Sequence, residues 1–136
     1  MTTLYSFCSL AGCPDGEFPA GLVQGTDGKF YGTTLNGGTS STCTSGCGTV
    51  FALSTDQAPF VETRPTVGVV GEVVTIVGYE LTGATSATFN GRPAVFKVDA
   101  STAITTIVPA GATSGKVQVT TPTGTLSSNL SFEVAP

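Results

Sequence analysis

Apolar and polar residues alternate in short runs along most of the chain, and turn residues separate the runs. The alternation is clearest in VVTIVG, which begins at Val73, and in KVQVTT, which begins at Lys116. A period of two is typical of half-buried antiparallel strands, whereas the spacing of an amphipathic helix is missing. The pattern therefore predicts an all-β protein.

The first half of the sequence contains four predicted strands, at residues 3–7, 20–25, 29–33 and 48–53. Thr26-Asp27-Gly28 predicts a turn between two of them, since Asp tolerates the bend and Gly supplies a positive φ. Asn36-Gly37-Gly38 begins a long polar loop that we expect to run to Gly48.

The second half contains seven predicted strands, at residues 66–70, 73–77, 86–89, 92–98, 103–108, 115–121 and 129–134. Asn90-Gly91 is a strong signal for a two-residue hairpin turn. Short strands with turns every 8–12 residues or so are typical of an immunoglobulin-like sandwich.

The composition changes near residues 56–65, where a cysteine-containing half gives way to a Thr- and Val-rich half without cysteine. We predict one domain at residues 1–55, a linker at 56–64 stiffened by Pro59 and Pro65, and a second domain at 65–136. In an alternative interpretation, Phe60 and Val61 extend a strand and the linker is shorter. Such small domains are marginal alone, so the first half should need disulfides, a partner or the second half.

The second half resembles the IPT/TIG family of immunoglobulin-like domains. The matching stretches are GEVVTIVGYEL from Gly71, TGATSATFNGRPAVF from Thr82, STAITTIVPAGATSGKVQVTTPTG from Ser101, and NLSF from Asn129. The resemblance implies a spacer or interaction module of bacterial surface and secreted proteins, some of which accompany carbohydrate-active enzymes. It supplies no catalytic residues.

The first half resembles the Gloeo/Verruco (GloVer) tandem repeat of bacterial secreted proteins. LYSF, AGLVQGTDGKFYGTT, NGG and CGTVFAL carry the resemblance, which implies a propeller-blade-like or similar stacked β-unit. Only one repeat is present, whereas about three or more are normally needed to bury the faces of such units. The missing neighbours would come from other chains, or the sequence is a fragment.

Charge and residue content exclude several classes of function. The net charge is −4 and the five basic residues are scattered, which opposes nucleic-acid binding. Histidine is absent, so no Ser-His-Asp or Cys-His site and no His-ligated zinc can form. We therefore expect no catalytic residues, no cofactor and no metal site, and we do not expect an enzyme.

No apolar run approaches the roughly 20 residues of a membrane span. The N-terminal MTTLYSF shows no secretory signal, so we expect that the signal was removed or that the sequence is a fragment.

Four cysteines form two close pairs, Cys8 with Cys13 and Cys43 with Cys47. Disulfides, a zinc site and free thiols all remain open, but gaps of four and three residues differ from the usual C-x2-C spacing of zinc knuckles. We favour disulfides and, among three possible connectivities, the local pairing. Disulfides imply an oxidising place, extracellular or at the cell surface.

Other candidates have plainer interpretations. Asp15 and Glu17 are potential calcium ligands, but their spacing matches no calcium loop and a solvated loop explains them. Asp27 fits a turn residue better than a catalytic acid. Asn129-Leu130-Ser131 matches an N-glycosylation sequon.

Aromatic residues in the first half are the candidate interaction surface. Either they form a sugar-stacking platform or they pack in a core or between subunits. They are Tyr5, Phe7, Phe30, Tyr31 and Phe51. Since a lone repeat leaves open strand edges and an apolar face, we expect a structural or adhesive module that forms a homopolymer by strand exchange or stacking. The alternative is an accessory module that binds carbohydrate or a cell surface.

Overall fold

The computed structural model describes residues 2–136, and Met1 lies outside the described residues. The described chain contains twelve β-strands and no helix, which confirms the all-β prediction. It divides into two compact units, Met1–Gln57 and Ala58–Pro136.

The first unit is an antiparallel sheet with the strand order β1-β2-β3, formed by β1 (Glu17–Gln24), β2 (Phe30–Asn36) and β3 (Val50–Leu53). The predicted turn joins β1 to β2, and the Gly25 N–H donates a hydrogen bond of 2.8 Å to the Lys29 carbonyl.

The strand predicted at residues 3–7 is wrong, since this segment pairs with no strand. Its alternating apolar residues serve side-chain packing instead. The Tyr5 and Phe7 rings lie 4.9 Å apart, and the Phe7 ring lies 4.6 Å from that of Phe51.

The second unit is a sandwich of two sheets, with the strand orders β4-β6-β10-β9 and β5-β12-β11-β7-β8. The strands of the first sheet are β4 (Glu62–Arg64), β6 (Val73–Val77), β9 (Phe96–Ala100) and β10 (Ala103–Ile107). Those of the second are β5 (Val67–Gly68), β7 (Ser86–Phe89), β8 (Arg92–Pro93), β11 (Gly115–Thr121) and β12 (Gly124–Val134). The sandwich agrees with the immunoglobulin-like prediction.

Inward-facing side chains of both sheets and three residues outside the strands, Val61, Leu81 and Val108, form one apolar core. Its members are Val61, Val74, Ile76, Leu81, Ala87, Phe89, Ile104, Val108, Val117, Val119 and Phe132. The Phe89 and Phe132 rings meet edge to face with their centroids 5.0 Å apart. This geometry is a favoured one for aromatic pairs in protein interiors.

Two strand predictions in this unit need correction. The strand predicted at 92–98 is two strands, because β8 pairs with β7 in one sheet and β9 pairs with β10 in the other. The last strand starts at Gly124 and not at residue 129. The Asn90-Gly91 turn is confirmed, with positive φ angles of 45° and 80°.

The predicted linker at 56–64 is shorter in the structure. Phe60 and Val61 are buried, and Val61 forms a parallel bridge to Ser128. Glu62–Arg64 is strand β4, paired with β6. These residues enter the sandwich because the first strand of its sheet precedes Pro65, so the alternative in which Phe60 and Val61 continue toward a strand describes the chain better.

Candidate functional site

The interior of the first unit is made of glycine and threonine. Among residues 2–57 the buried positions are Gly16, Gly28, Thr34 and Gly37, so no apolar side chain of that range is buried. The Thr34 Oγ1 accepts a 2.8 Å hydrogen bond from the Thr49 N–H and lies 3.0 Å from the Thr49 hydroxyl. The buried centre of this unit is therefore hydrogen-bonded and contains no apolar core.

Two disulfide loops hold the corner after β2. The structure joins Cys8 to Cys13 and Cys43 to Cys47, which is the local pairing. The Cys13 carbonyl accepts a 2.9 Å hydrogen bond from the Gly38 N–H, and the carbonyl of Ser45 accepts a 2.8 Å bond from the Gly37 N–H. Both loops therefore fix the same Gly37-Gly38 backbone, which we call the glycine corner.

The glycine corner has no room for side chains. A Cβ at Gly46 would collide with the Gly37 carbonyl, and one at Gly48 would collide with the Thr34 carbonyl. Both glycines also have positive φ angles, 78° at Gly46 and 77° at Gly48, which other L-residues rarely adopt. The local sequence folds this way because glycine permits backbone-to-backbone contact.

One face of the three-stranded sheet is apolar and uncovered. Residues paired across neighbouring strands share a face, and residues two apart along a strand share it too. We call this one the valine face: Ala20, Val23, Tyr31, Thr33, Leu35, Val50 and Ala52. The side chains of Val23, Leu35 and Val50 are 68%, 71% and 82% exposed, and the face carries no charged residue.

The opposite side, which we call the phenylalanine face, is partly covered. Its members are Glu17, Pro19, Leu22, Gln24, Phe30, Gly32, Thr34, Asn36, Phe51 and Leu53. The Phe51 ring lies over Gly32, where a Cβ would collide with it, and Phe7 packs on that ring. Leu22 stays 57% exposed, so this face also presents apolar surface.

A pocket of about 410 Å³ lies beside the free edge of β3. It is lined by Tyr5, Phe7, Pro14, Asp15 and residues 49–53. The Asp15 carboxylate accepts hydrogen bonds from the Tyr5 hydroxyl at 2.9 Å and from the Cys8 N–H at 3.1 Å. The hydrogen bond to this carboxylate raises the pKa of Tyr5.

The five aromatic residues predicted as an interaction surface do not lie together. Tyr5, Phe7 and Phe51 form one cluster, Phe30 is on the same face of the sheet, and Tyr31 is on the valine face. The ring planes within the cluster are inclined by 76° and 59°, so they form no flat platform for a sugar ring.

The valine face escaped the sequence interpretation, which singled out aromatic residues. Its signal was present in Val50-Phe51, two consecutive apolar residues in a strand that point to opposite sides. Apolar residues in both phases of a strand indicate a sheet that is meant to be covered on both faces.

The other candidates have structural roles. Within residues 2–136, one group of three side chains has metal-ligand geometry, namely Cys8, Cys13 and Glu17. Its two sulfurs are joined in a disulfide, and the thiolate is the form that binds metal. Asn129, the first residue of the sequon, is exposed, and its side-chain amide donates a 3.3 Å hydrogen bond to Glu62.

The comparison with known families decides the nature of the second unit. The IPT/TIG domain model matches residues 61–134, which is more than half of the chain. The chain belongs to the IPT/TIG domain family. IPT/TIG domains are immunoglobulin-like and non-catalytic. The match does not include the first unit, whose resemblance to the Gloeo/Verruco repeat stays a prediction.

Other comparisons add little to the IPT/TIG assignment. No curated protein sequence matches the chain. Among solved structures, one crystal structure, described as domains CD (residues 230–489), matches at 24% identity with a TM-score of 0.48. The match covers 55% of this chain and 32% of that one, so the chain spans about a third of its length.

The exposed sheet faces of the IPT/TIG domain are mostly polar. Paired outward positions on one sheet are Ser86, Thr88, Gln118, Thr120, Thr125 and Ser127. On the other sheet, Asp99 accepts hydrogen bonds from Lys97 at 2.8 Å and Thr105 at 2.6 Å, which lower its pKa. The same sheet also exposes the paired apolar residues Val73 and Ile107, next to Val69 and Val70 in the turn before β6. No helix among residues 2–136 is long and apolar enough to cross a bilayer.

Asp27 offers a direct check of the turn in the first unit. The Tyr31 hydroxyl donates a 2.6 Å hydrogen bond to its carboxylate, and this bond is the main cause of a lowered pKa at Asp27. A lowered pKa stabilises the fold at pH values above the unfolded pKa, and that contribution is lost as the pH falls through the folded pKa. We expect Tyr31→Phe to raise the pKa of Asp27.

The measurement is a carboxyl NMR titration of both proteins. Asp99 serves as the internal control, because its own hydrogen bonds are in the other unit and should keep its pKa unchanged. An Asp27 pKa that is equal in the two proteins would show that the hydroxyl does not hold the turn.

Proposed function

We propose that the chain is a non-catalytic extracellular structural or adhesive module that associates with copies of itself, as the subunit of a surface fibre or filament. One observation carries the proposal. The first unit buries no apolar side chain within residues 2–57, although both faces of its sheet carry exposed apolar side chains. An isolated sheet of this kind is marginally stable until a second layer covers it.

The cysteines and the charge content support this function. Two disulfides in a small unit are consistent with an oxidising location, at the cell surface or outside the cell. Only 10% of the residues are charged, so few charges oppose close contact between copies. The partner is another copy of the chain, and neither nucleic acid nor a membrane span is part of the proposal.

Sedimentation velocity and negative-stain electron microscopy of the oxidised full chain test the proposal. We expect species larger than the monomer that grow with protein concentration, and filaments at the highest concentrations. A second sample in reductant shows whether the disulfide loops are needed. A single monomeric boundary up to several hundred micromolar in the oxidised sample would refute self-association.

Binding of a polysaccharide or cell surface is the second candidate function. The pocket beside β3 favours it, because aromatic rings and the Asp15 carboxylate line the same cavity. Affinity electrophoresis in polysaccharide gels tests it with Tyr5→Ala. Tyr79→Ala is the matched control, since Tyr79 belongs to the other unit and is similarly exposed. Retardation that only Tyr5→Ala abolishes would support this function.

A further inference from the structure

We infer that copies of the chain stack through their first units, with the valine face of one copy against the phenylalanine face of the next. The contact joins two different surfaces, so each added copy presents a fresh face and the stack stays open. This inference rests on the proposed self-association and specifies its surface.

The exposed apolar side chains of the first unit lie on the faces of its sheet and would not be buried by pairing of the strand edges. Val23, Leu35 and Val50 expose most of their area on the valine face, and Leu22 is 57% exposed on the other. Pairing the strand edges of two copies would extend the sheet and leave all four side chains in water. Stacking places a second apolar layer about 10 Å away and removes them from water.

Both edges of the sheet are poor templates for strand pairing. On the β1 edge, Pro19 has no N–H to donate, and the register shifts between Ala20 and Leu22. Prolines and bulges are devices that protect edge strands. The β3 edge is only four residues long, and Tyr5 and Phe7 stand beside it in the pocket. These features disfavour strand exchange as the mode of assembly.

A second copy is the occupant that fits the uncovered faces. One sheet face of the IPT/TIG domain presents Thr, Ser and Gln, and the other places the charged pair Lys97 and Asp99 on the same face as Val73 and Ile107, so neither is a continuous apolar layer. The valine face has no charged residue, and the phenylalanine face has one, Glu17 at its end, beside an exposed leucine and the recess at Gly32. In a symmetric dimer formed through two valine faces, both phenylalanine faces would stay exposed. The heterologous contact buries one valine face and one phenylalanine face.

The size of the faces predicts how the stack grows. Three strands of eight, seven and four residues, spaced about 4.8 Å apart, give a footprint of roughly 300 Å². Stable interfaces bury about 800 Å² on each partner, so a single contact should be weak. We expect the average length of the stack to rise gradually with concentration, without a lag phase.

Two blocked variants and their mixture test the inference. Val50→Lys places a charge on the valine face, and Leu22→Lys places one on the phenylalanine face. Each variant alone should be monomeric, because one face of every contact is missing. Mixed one to one, they should form a one-to-one heterodimer that grows no further, since each variant supplies the intact face that the other lacks. Sedimentation velocity and native mass spectrometry measure both results.

Val95→Lys is the matched control, because Val95 lies in the IPT/TIG domain and is 85% exposed. It should assemble like the parent chain. Far-UV circular dichroism shows that each variant is folded, and Leu35→Lys replaces Val50→Lys if that variant is not. Assembly of both blocked variants at the parent's concentrations would overturn face stacking but not self-association. Monomeric variants whose mixture stays monomeric would overturn the heterologous contact. A monomeric parent chain would refute the proposed function itself.

Discussion

Val61→Asp is expected to unfold the IPT/TIG domain at room temperature. Val61 is 0% exposed and belongs to the apolar core, where an ionised carboxylate finds no partner. An unpaired charge in such a place costs several kcal/mol, and a domain of this size has only about 5–10 kcal/mol of stability to lose. Two-dimensional NMR of the full chain should show the signals of residues 61–134 collapsing toward random-coil positions.

Val95→Asp is the matched control for Val61→Asp, because it makes the same chemical change at an 85% exposed position. We expect it to change the free energy of unfolding by less than about 0.5 kcal/mol. A dispersed spectrum and nearly unchanged stability for Val61→Asp would contradict the assignment of Val61 to the sandwich. The domain would then begin near Pro65, as the linker prediction had it.

Phe132→Ala is expected to lower the free energy of unfolding of the same domain by about 3–5 kcal/mol. Phe132 is 1% exposed, and its ring packs edge to face against Phe89. The substitution removes a large apolar side chain and leaves a cavity between the two sheets. Urea unfolding followed by circular dichroism measures the loss.

Phe18→Ala is the control for Phe132→Ala, because Phe18 is 59% exposed and lies in the first unit. It should leave the unfolding of the IPT/TIG domain unchanged. The double variant Phe89→Ala/Phe132→Ala should lose less than the sum of the single losses, since the two rings share one contact. A loss below about 1 kcal/mol for Phe132→Ala would mean that the rings do not fill the core.

The strands that the sequence predicted well are those with local signals. Val73–Val77, Ser86–Phe89 and Gly115–Thr121 have the predicted bounds, because alternation and the Asn90-Gly91 turn define them within a few residues. The split at residues 92–98 depends on which sheet each half joins. Each half pairs with a neighbour across a short turn, β8 with β7 and β9 with β10, but the periodicity of residues 92–98 does not show where the chain passes from one sheet to the other.

The start of the IPT/TIG domain shows the same limit. Phe60 and Val61 follow Pro59 in a stretch whose composition is typical of a linker, yet their side chains are buried. Residues 3–7 show the reverse error, since their alternation is typical of a strand but serves ring packing. Apolar periodicity predicts which side chains pack against other apolar groups. It does not show whether the backbone of the same residues pairs with a neighbouring strand.

The candidate site was predictable in its chemistry and not in its layout. The cysteine spacing favoured two short loops, and the structure closes both. That both loops bind the backbone of Gly37-Gly38 could not be predicted, because those hydrogen bonds involve carbonyls and N–H groups that every residue has. The valine face was hidden for another reason: exposure is a property of the fold and not of Val23 or Val50 alone.

The glycine corner also links the order of the first unit to the oxidation state of its cysteines. Its backbone is held by loops that close only when two pairs of thiols are oxidised. In a reducing cytoplasm those loops would stay open, and the sheet beside them would lose its fixed corner. Under the proposed self-association, oxidised chains should therefore assemble, whereas reduced chains should stay monomeric.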